Sequence, residues 1–262
     1  MMAAAFDWSL LGPPLAAGLA VCATHVALGR EVLRRGIIFI DLTIAQVAAL
    51  GVIAVQAAGY ESQGLSLQLA AAAAALAAAG ALAWTERRLP AVQEALIGCL
   101  YVVAACAAIL LLAHNPHGGE HLTELLAGQI LWVSYGQVWP VALLYAVVLV
   151  LWRLGERVRG VLFYPLFAVT VTASVQLVGV YLVFATLILP ALAARGVSNG
   201  RGLMLGYLLG AAGYALGLYL SVPLDLPSGP LIVCVLAVLA LAAGMIRAAA
   251  TPSSNRTRSS NE

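Results

Sequence analysis

The chain has 262 residues, 63% of them hydrophobic and 9% charged, with a formal net charge of +2 and a mean hydropathy of +1.00. A soluble domain carries about 25% charged residues, so this composition excludes an ordinary soluble fold and indicates a polytopic, all-α integral membrane bundle. Lysine is absent, so all 13 basic residues are arginines and a Gly-x-x-x-x-Gly-Lys nucleotide loop is excluded.

Spans are read as runs of about 20 apolar residues between charges or turn residues. The first covers about 10–28 and ends at Arg30. No basic region precedes it, so no cleavable signal peptide is expected. The second covers about 37–58, after Arg34-Arg35-Gly36. The third, about 65–84, is rich in alanine and ends at Glu86-Arg87-Arg88; small residues allow close helix contact. The fourth covers about 94–113, with Glu94 suited to the dipole of a first helical turn. A polar loop, 114–124, follows. Residues 125–139 read as a short half-helix, and the fifth span covers about 138–152.

The apolar run 161–194 is too long for one helix and short for two; it breaks naturally at Gln176-Leu177-Val178-Gly179. Spans of about 203–222 and 231–246 follow, joined by the turn Asp225-Leu226-Pro227-Ser228-Gly229-Pro230. Residues 1–250 form one transmembrane domain, and the polar tail 251–262 is expected to be disordered. With Arg30, Arg34 and Arg35 inside, a double crossing of 161–194 puts all 13 arginines on the cytoplasmic side. The count therefore favours nine spans over eight, with the N-terminus outside and the C-terminus in the cytoplasm. Loop 114–124 then lies on the outer face.

Asp41 enters the second span. An ionisable group inside a membrane marks a functional position by default. The competing account places it near the span's end, solvated or paired with Arg34 or Arg35. Gln46, five residues on, lies about 140° around an ideal helix, so the two do not share a face. His25, late in the first span, approaches the same side and is a partner for Asp41 or for a backbone carbonyl.

The other three histidines, His114, His117 and His121, lie within eight residues of one outer loop, beside Glu120 and Glu124. Imidazole with carboxylate suits zinc, and histidine also suits copper, nickel and iron. The same residues also serve to keep a loop soluble. Cys22, Cys99, Cys106 and Cys234 match no metal or redox spacing and read as packing residues. Thr170, Thr172, Ser174, Gln176 and Thr186 read as interhelical hydrogen-bonding groups. No nucleophile–base arrangement suggests an enzyme.

Three stretches carry a family resemblance: Arg34-Arg35 leading to Asp41 and Gly51, Gly128-Gln129-Ile130-Leu131-Trp132-Val133-Ser134, and Val178-Gly179-Val180-Tyr181-Leu182-Val183-Phe184-Ala185-Thr186-Leu187-Ile188-Leu189-Pro190-Ala191. The chain resembles the permease of zinc/manganese/iron-type ABC importers, related to the vitamin B12 type, over nearly its whole length. The resemblance implies a homodimer in the bacterial inner membrane, in contact with lipid and with no nucleic acid. It also implies a separate ATP-binding subunit and a periplasmic metal-binding protein. No covalent cofactor is expected; the cargo is a divalent metal, zinc first. Residues 190–201, with Pro190, Arg195 and Arg201, map to the ATPase-coupling segment. The family's Gly-Asp-x-x-Ser-His-Ala ligand pair does not carry over: aligned on Gly51, Gln46 takes the histidine place and Leu42 the aspartate place, with Asp41 one residue early. Metal would instead meet His114, His117, His121, Glu120 and Asp41, on a path that includes Gln46 and His25. Alternative cargoes are manganese, iron or a metal chelate. A rival class, an ion-coupled transporter with Asp41 carrying protons, predicts inverted repeats, and no convincing repeat is visible.

Overall fold

The computed structural model describes residues 8–57, 65–112, 130–153 and 156–250. The described residues form nine α-helices and no strand: α1 Trp8–Arg35, α2 Ile40–Ala57, α3 Leu65–Arg88, α4 Gln93–Leu112, α5 Tyr135–Arg153, α6 Glu156–Val178, α7 Val180–Ala193, α8 Asn199–Leu224 and α9 Ser228–Ala250. Seven are long and apolar enough to cross a membrane; Leu162–Val178 and Val180–Ala193 are shorter apolar helices.

The first span runs further than its apolar pattern suggests. Helix α1 continues to Arg35, so Arg34 and Arg35 form its last turn. Glu31 pairs with both, three and four residues on, and cations favour a helix C-terminus. Gly36 then adopts φ +72°, a left-handed position that glycine tolerates, and ends the helix. The turn is short, and α2 starts at Ile40 instead of 37. Only 130–139 of the expected half-helix is described: a 3-10 turn, Ile130–Trp132, precedes α5, which begins at Tyr135.

The run 161–194 breaks at Gly179, with φ +84°. Helix α6 starts beside Arg35, which lies over Phe163, and α7 ends beside Arg247, which bonds the Ala193 carbonyl. The chain therefore goes in and returns to the same end of the bundle. At 1.5 Å per residue α7 is only about 21 Å long, so the reversal is made by a short pair of helices. Arg30, Arg34, Arg153 and Arg195 line one cavity at this end, here called the arginine end.

Backbones meet closely in the half of the bundle built from α1, α7, α8 and α9. Helices α1 and α8 run antiparallel: Val26 faces Gly206, Cys22 faces Gly210, and Tyr214 faces Gly18. Gly213 and Gly217 receive Leu236 and Ile232 of α9. In the other half α2 packs against α3, α4 and α6, and Gly51 meets Ala70 and Ala74. Cys22 is buried as a packing residue; Cys99, Cys106 and Cys234 are exposed, so their apolar neighbours in sequence do not enclose them.

The tightest contact generates a stability prediction. A Cβ on Gly29 would sit 1.9 Å from the Leu187 carbonyl oxygen, a backbone atom that cannot swing away. Gly29→Ala should cost about 3 kcal/mol or more by overpacking and lower the melting temperature in detergent. Gly80→Ala, with nothing within 4 Å of the added methyl, should be neutral or stabilising. Equal melting temperatures for the two variants would contradict this packing.

Candidate functional site

Asp41 lies in the first turn of α2 and is 1% exposed. Its carboxylate lies against the Asp41 and Leu42 backbone N–H groups, which have no partner within a helix start. Its Oδ1 has no hydrogen-bond partner. Pairing with Arg34 or Arg35 is not what occurs: both arginines engage Glu31, and Arg35 also reaches Glu86 at 3.2 Å. Glu94 of α4 serves the same helix start, accepting the Phe39 N–H at 3.4 Å. Its sequence role was complete within its own helix; the structure gives it a second one across to α2. Glu94 Oε2, like Asp41 Oδ1, is buried without a partner. Two carboxylates thus present open acceptor atoms near one positive helix terminus. Such an arrangement can accept a cation or a proton.

His25 is fully buried in α1. Its Nδ1 donates to the Val21 carbonyl at 2.9 Å, with Thr24 Oγ1 3.0 Å away. That bond makes Nε2 the free acceptor in a neutral ring, and Nε2 has no partner. The ring meets Tyr145 of α5 edge-on at 6.3 Å. Tyr145 shares a 2.5 Å hydrogen bond with Ser174, which donates to the Thr170 carbonyl at 2.6 Å. Of the polar residues expected to join helices, Ser174 of α6 and Thr186 of α7 do so; Thr170 bonds the Leu166 carbonyl of its own helix and Thr172 Oγ1 is buried without a partner. His25 belongs to the Tyr145–Ser174 column and not to Asp41. No hydrogen bond or ion pair links His25 with Asp41 among the described residues.

Gln46 is buried in α2, which runs as one unbroken helix from Ile40 to Ala57. Asp41 and Gln46 therefore stay on different faces; both are buried because neighbours pack around α2. His114, His117, Glu120 and His121 lie outside the described residues. Among the described residues no group of three or more His, Cys, Asp or Glu is placed to hold a metal.

The segment 190–201 is a helix end, a turn and a helix start. Pro190 is buried, packed on Gly206; Arg195 and Arg201 are exposed. Gly196 takes φ +78°. Arg247 of α9 donates to the Ala193 carbonyl and, at 2.8 Å, to the Arg195 carbonyl. Sequence reading missed this clamp. Its one signal is a cation in the last turn of the last helix, which does not reveal whose carbonyls it reaches.

The family model for the ABC 3 transport family matches residues 8–158 and 153–247. No curated protein matches the chain. Among solved structures, PsaBC from Streptococcus pneumoniae in complex with Fab is similar with a TM-score of 0.69 at 20% identity, over 90% of this chain and 91% of that one. An inward-facing structure described as a metal-chelate type ABC transporter is similar with a TM-score of 0.62 at 16% identity, over 91% and 84%. Such identities establish the shared fold. The family match extends across nearly all of the described helices, from α1 to the last turn of α9, and the chain belongs to the ABC 3 transport family of membrane permeases.

Proposed function

We propose that the chain is the permease subunit of an importer for a divalent metal ion, with zinc the first candidate. ATP hydrolysis is assigned to a separate subunit, because no lysine is present to complete a nucleotide loop here. That subunit docks at the arginine end, on the 194–198 turn that Arg247 holds. A periplasmic binding protein delivers the metal to the opposite end. The membrane is the bacterial inner membrane, with the N-terminus outside and the C-terminus in the cytoplasm, as the positive-inside rule favours. Two copies pair. An exposed apolar stripe on and before α5, Trp132, Tyr135, Trp139, Leu143 and Val147, supports a face for the second copy.

The observation that carries a cation cargo is Asp41. Buried polar atoms almost always find partners, yet Oδ1 of this carboxylate has none. A passing cation supplies what the fold leaves open. In this reading His114, His117, His121 and Glu120 collect metal at the outer mouth, and Asp41 acts on the inner half of the path. A second reading, a metal chelate as cargo, is favoured by the lack of a three-ligand group among the described residues and by the likeness to a metal-chelate type transporter. An ion-gradient mechanism with Asp41 as proton carrier has lost its support to the family membership.

Accumulation of zinc, manganese, iron and nickel in metal-starved cells with and without the gene tests the cargo. Loss confined to zinc is expected; loss of none of the free ions would transfer the case to a chelate. His114→Ala/His117→Ala/His121→Ala should reduce uptake at limiting metal and spare it at high metal. Uptake that matches wild type at every concentration removes the capture role.

Asp41→Asn should keep or raise the melting temperature, since the amide keeps the side chain's shape without burying an ionisable group that has no counter-ion. Uptake at limiting metal should fall about tenfold, equivalent to about 1.4 kcal/mol of lost cation stabilisation. Full uptake with a lowered melting temperature would leave Asp41 a helix-start residue only.

A further inference from the structure

The arginine end holds a cavity of about 1120 Å³, lined by Arg30, Arg34, Arg153, Arg195 and, among the described residues, a single acid, Glu31. That acid is engaged by Arg34 and Arg35, while Arg153 and Arg195 have no carboxylate partner among the described residues. The α8 N-terminus adds to the positive field: Gly200 lines the cavity, and a Cβ on Gly202 would touch Arg30 Nη1 at 2.6 Å. Arg30 thus lies along the first turn of α8, where backbone N–H groups and the helix dipole favour an anion. A divalent cation is repelled here, so the vestibule does not suit the metal as ligand.

A second cavity of about 580 Å³ continues from it. The two share Leu149, Arg153 and Tyr207. Beyond these the second is apolar, lined by Leu19, Ala23, Val150 and Ala211 from α1, α5 and α8. Cavities of about 300–1000 Å³ hold drug-sized molecules, so there is room for a headgroup and part of an acyl chain. Tyr207 and Trp152 stand at the junction and in the vestibule, the residue types that occupy the headgroup level of membranes.

We propose that this continuous vestibule and groove bind one anionic phospholipid per chain, its phosphate between Arg30 and Arg153, away from the 194–198 turn, and an acyl chain between α1, α5 and α8. Basic recesses between transmembrane helices select anionic headgroups in this way. An acidic protein segment would satisfy the arginines but leaves the apolar groove beneath them unexplained; a lipid accounts for both. The site is independent of the cargo.

The test is native mass spectrometry of the delipidated full-length chain titrated with phosphatidylglycerol, with phosphatidylcholine as control. One phosphatidylglycerol should bind, and phosphatidylcholine should not. Arg30→Ala/Arg153→Ala should weaken binding about tenfold or more, and Ala211→Trp should weaken it by filling the groove. Arg87→Ala/Arg88→Ala, the same charge change on α3, should bind as wild type. Should the double alanine variant fail to fold, Arg30→Lys/Arg153→Lys, which retains charge, should bind better than Ala211→Trp. Equal binding of phosphatidylcholine, undiminished binding by the arginine and groove variants, or equal loss from the α3 variant would overturn the proposal. So would displacement of the lipid by inorganic phosphate alone, which would make this a free-anion site, or by the ATPase subunit, which would make it a protein dock.

Discussion

Arg35 bridges Glu31 on its own helix and Glu86 on α3, and its guanidinium carbon lies 4.2 Å from the centroid of the Phe163 ring on α6. A planar, always-charged fork is suited to two carboxylates and a ring face at once, where a lysine ammonium would satisfy one of them. The side chain is mostly buried, so solvent screens these contacts weakly. Three helices are thereby pinned at one end. Phe163 in turn stacks on Phe167 and meets Tyr164 edge-on, and Tyr164 accepts from Gln93, which also bonds the Leu82 carbonyl. The start of α4 is fixed by this route. Because α4 is fixed, Glu94 reaches the Phe39 N–H and sets where α2 begins. The depth of Asp41 therefore depends on a chain of contacts that starts at Arg35, although the two residues do not touch.

Away from that end, the fold relies on close approach. Helices in lipid gain little from hiding apolar surface, because lipid tails are equally apolar. Packing contacts and a few hydrogen bonds must do the work. The glycines of α8 bring α1 and α9 onto its backbone, and Thr186 shares a 2.9 Å bond with Tyr214 where α7 crosses α8. Tyr207 donates to the Ala23 carbonyl at 3.1 Å, a further tie between α8 and α1. Alanines of α3 serve α2 in the same way at Gly51, which meets Ala70 and Ala74, while Ala71, Ala75, Ala78 and Ala79 are buried along the same helix.

Local features were legible in the sequence. Among the described residues hydropathy located the long helices, Gly179 marked the break in 161–194, and Arg30, Arg34, Arg153 and Arg195 gather at one end because the helix pairs return the chain to it. Partner choice was not legible. Asp41 is as close in sequence to Arg34 and Arg35 as many paired residues are, yet Glu31 takes both because it sits three and four residues from them on one helix. His25 looked available to Asp41 by depth alone; rotation about α1 points it at α5 instead. Glu94 had a sufficient role within α4, so nothing in its neighbours signalled the contact with Phe39. The cysteines show the same limit: hydropathy locates a span but does not separate its packed face from its exposed one.

The two arginine clamps divide the labour at the arginine end. Arg35 ties α1 to α3 and α6, whereas Arg247 ties α9 to the end of α7 through main-chain carbonyls. A displacement of the 194–198 turn therefore acts on α7 and α9 through hydrogen bonds to the turn itself. It reaches α1 through side-by-side packing at Gly29 and Leu187, where the backbones are too close to slide apart without loss. His25, which meets the Tyr145–Ser174 column, and Arg35 are both carried on α1. Asp41 stands one step further, behind α6 and the Glu94 contact. The same ordering holds the Asp41 carboxyl against the Asp41 and Leu42 backbone N–H groups at the start of α2, where the helix dipole favours an acid and no arginine is needed as partner.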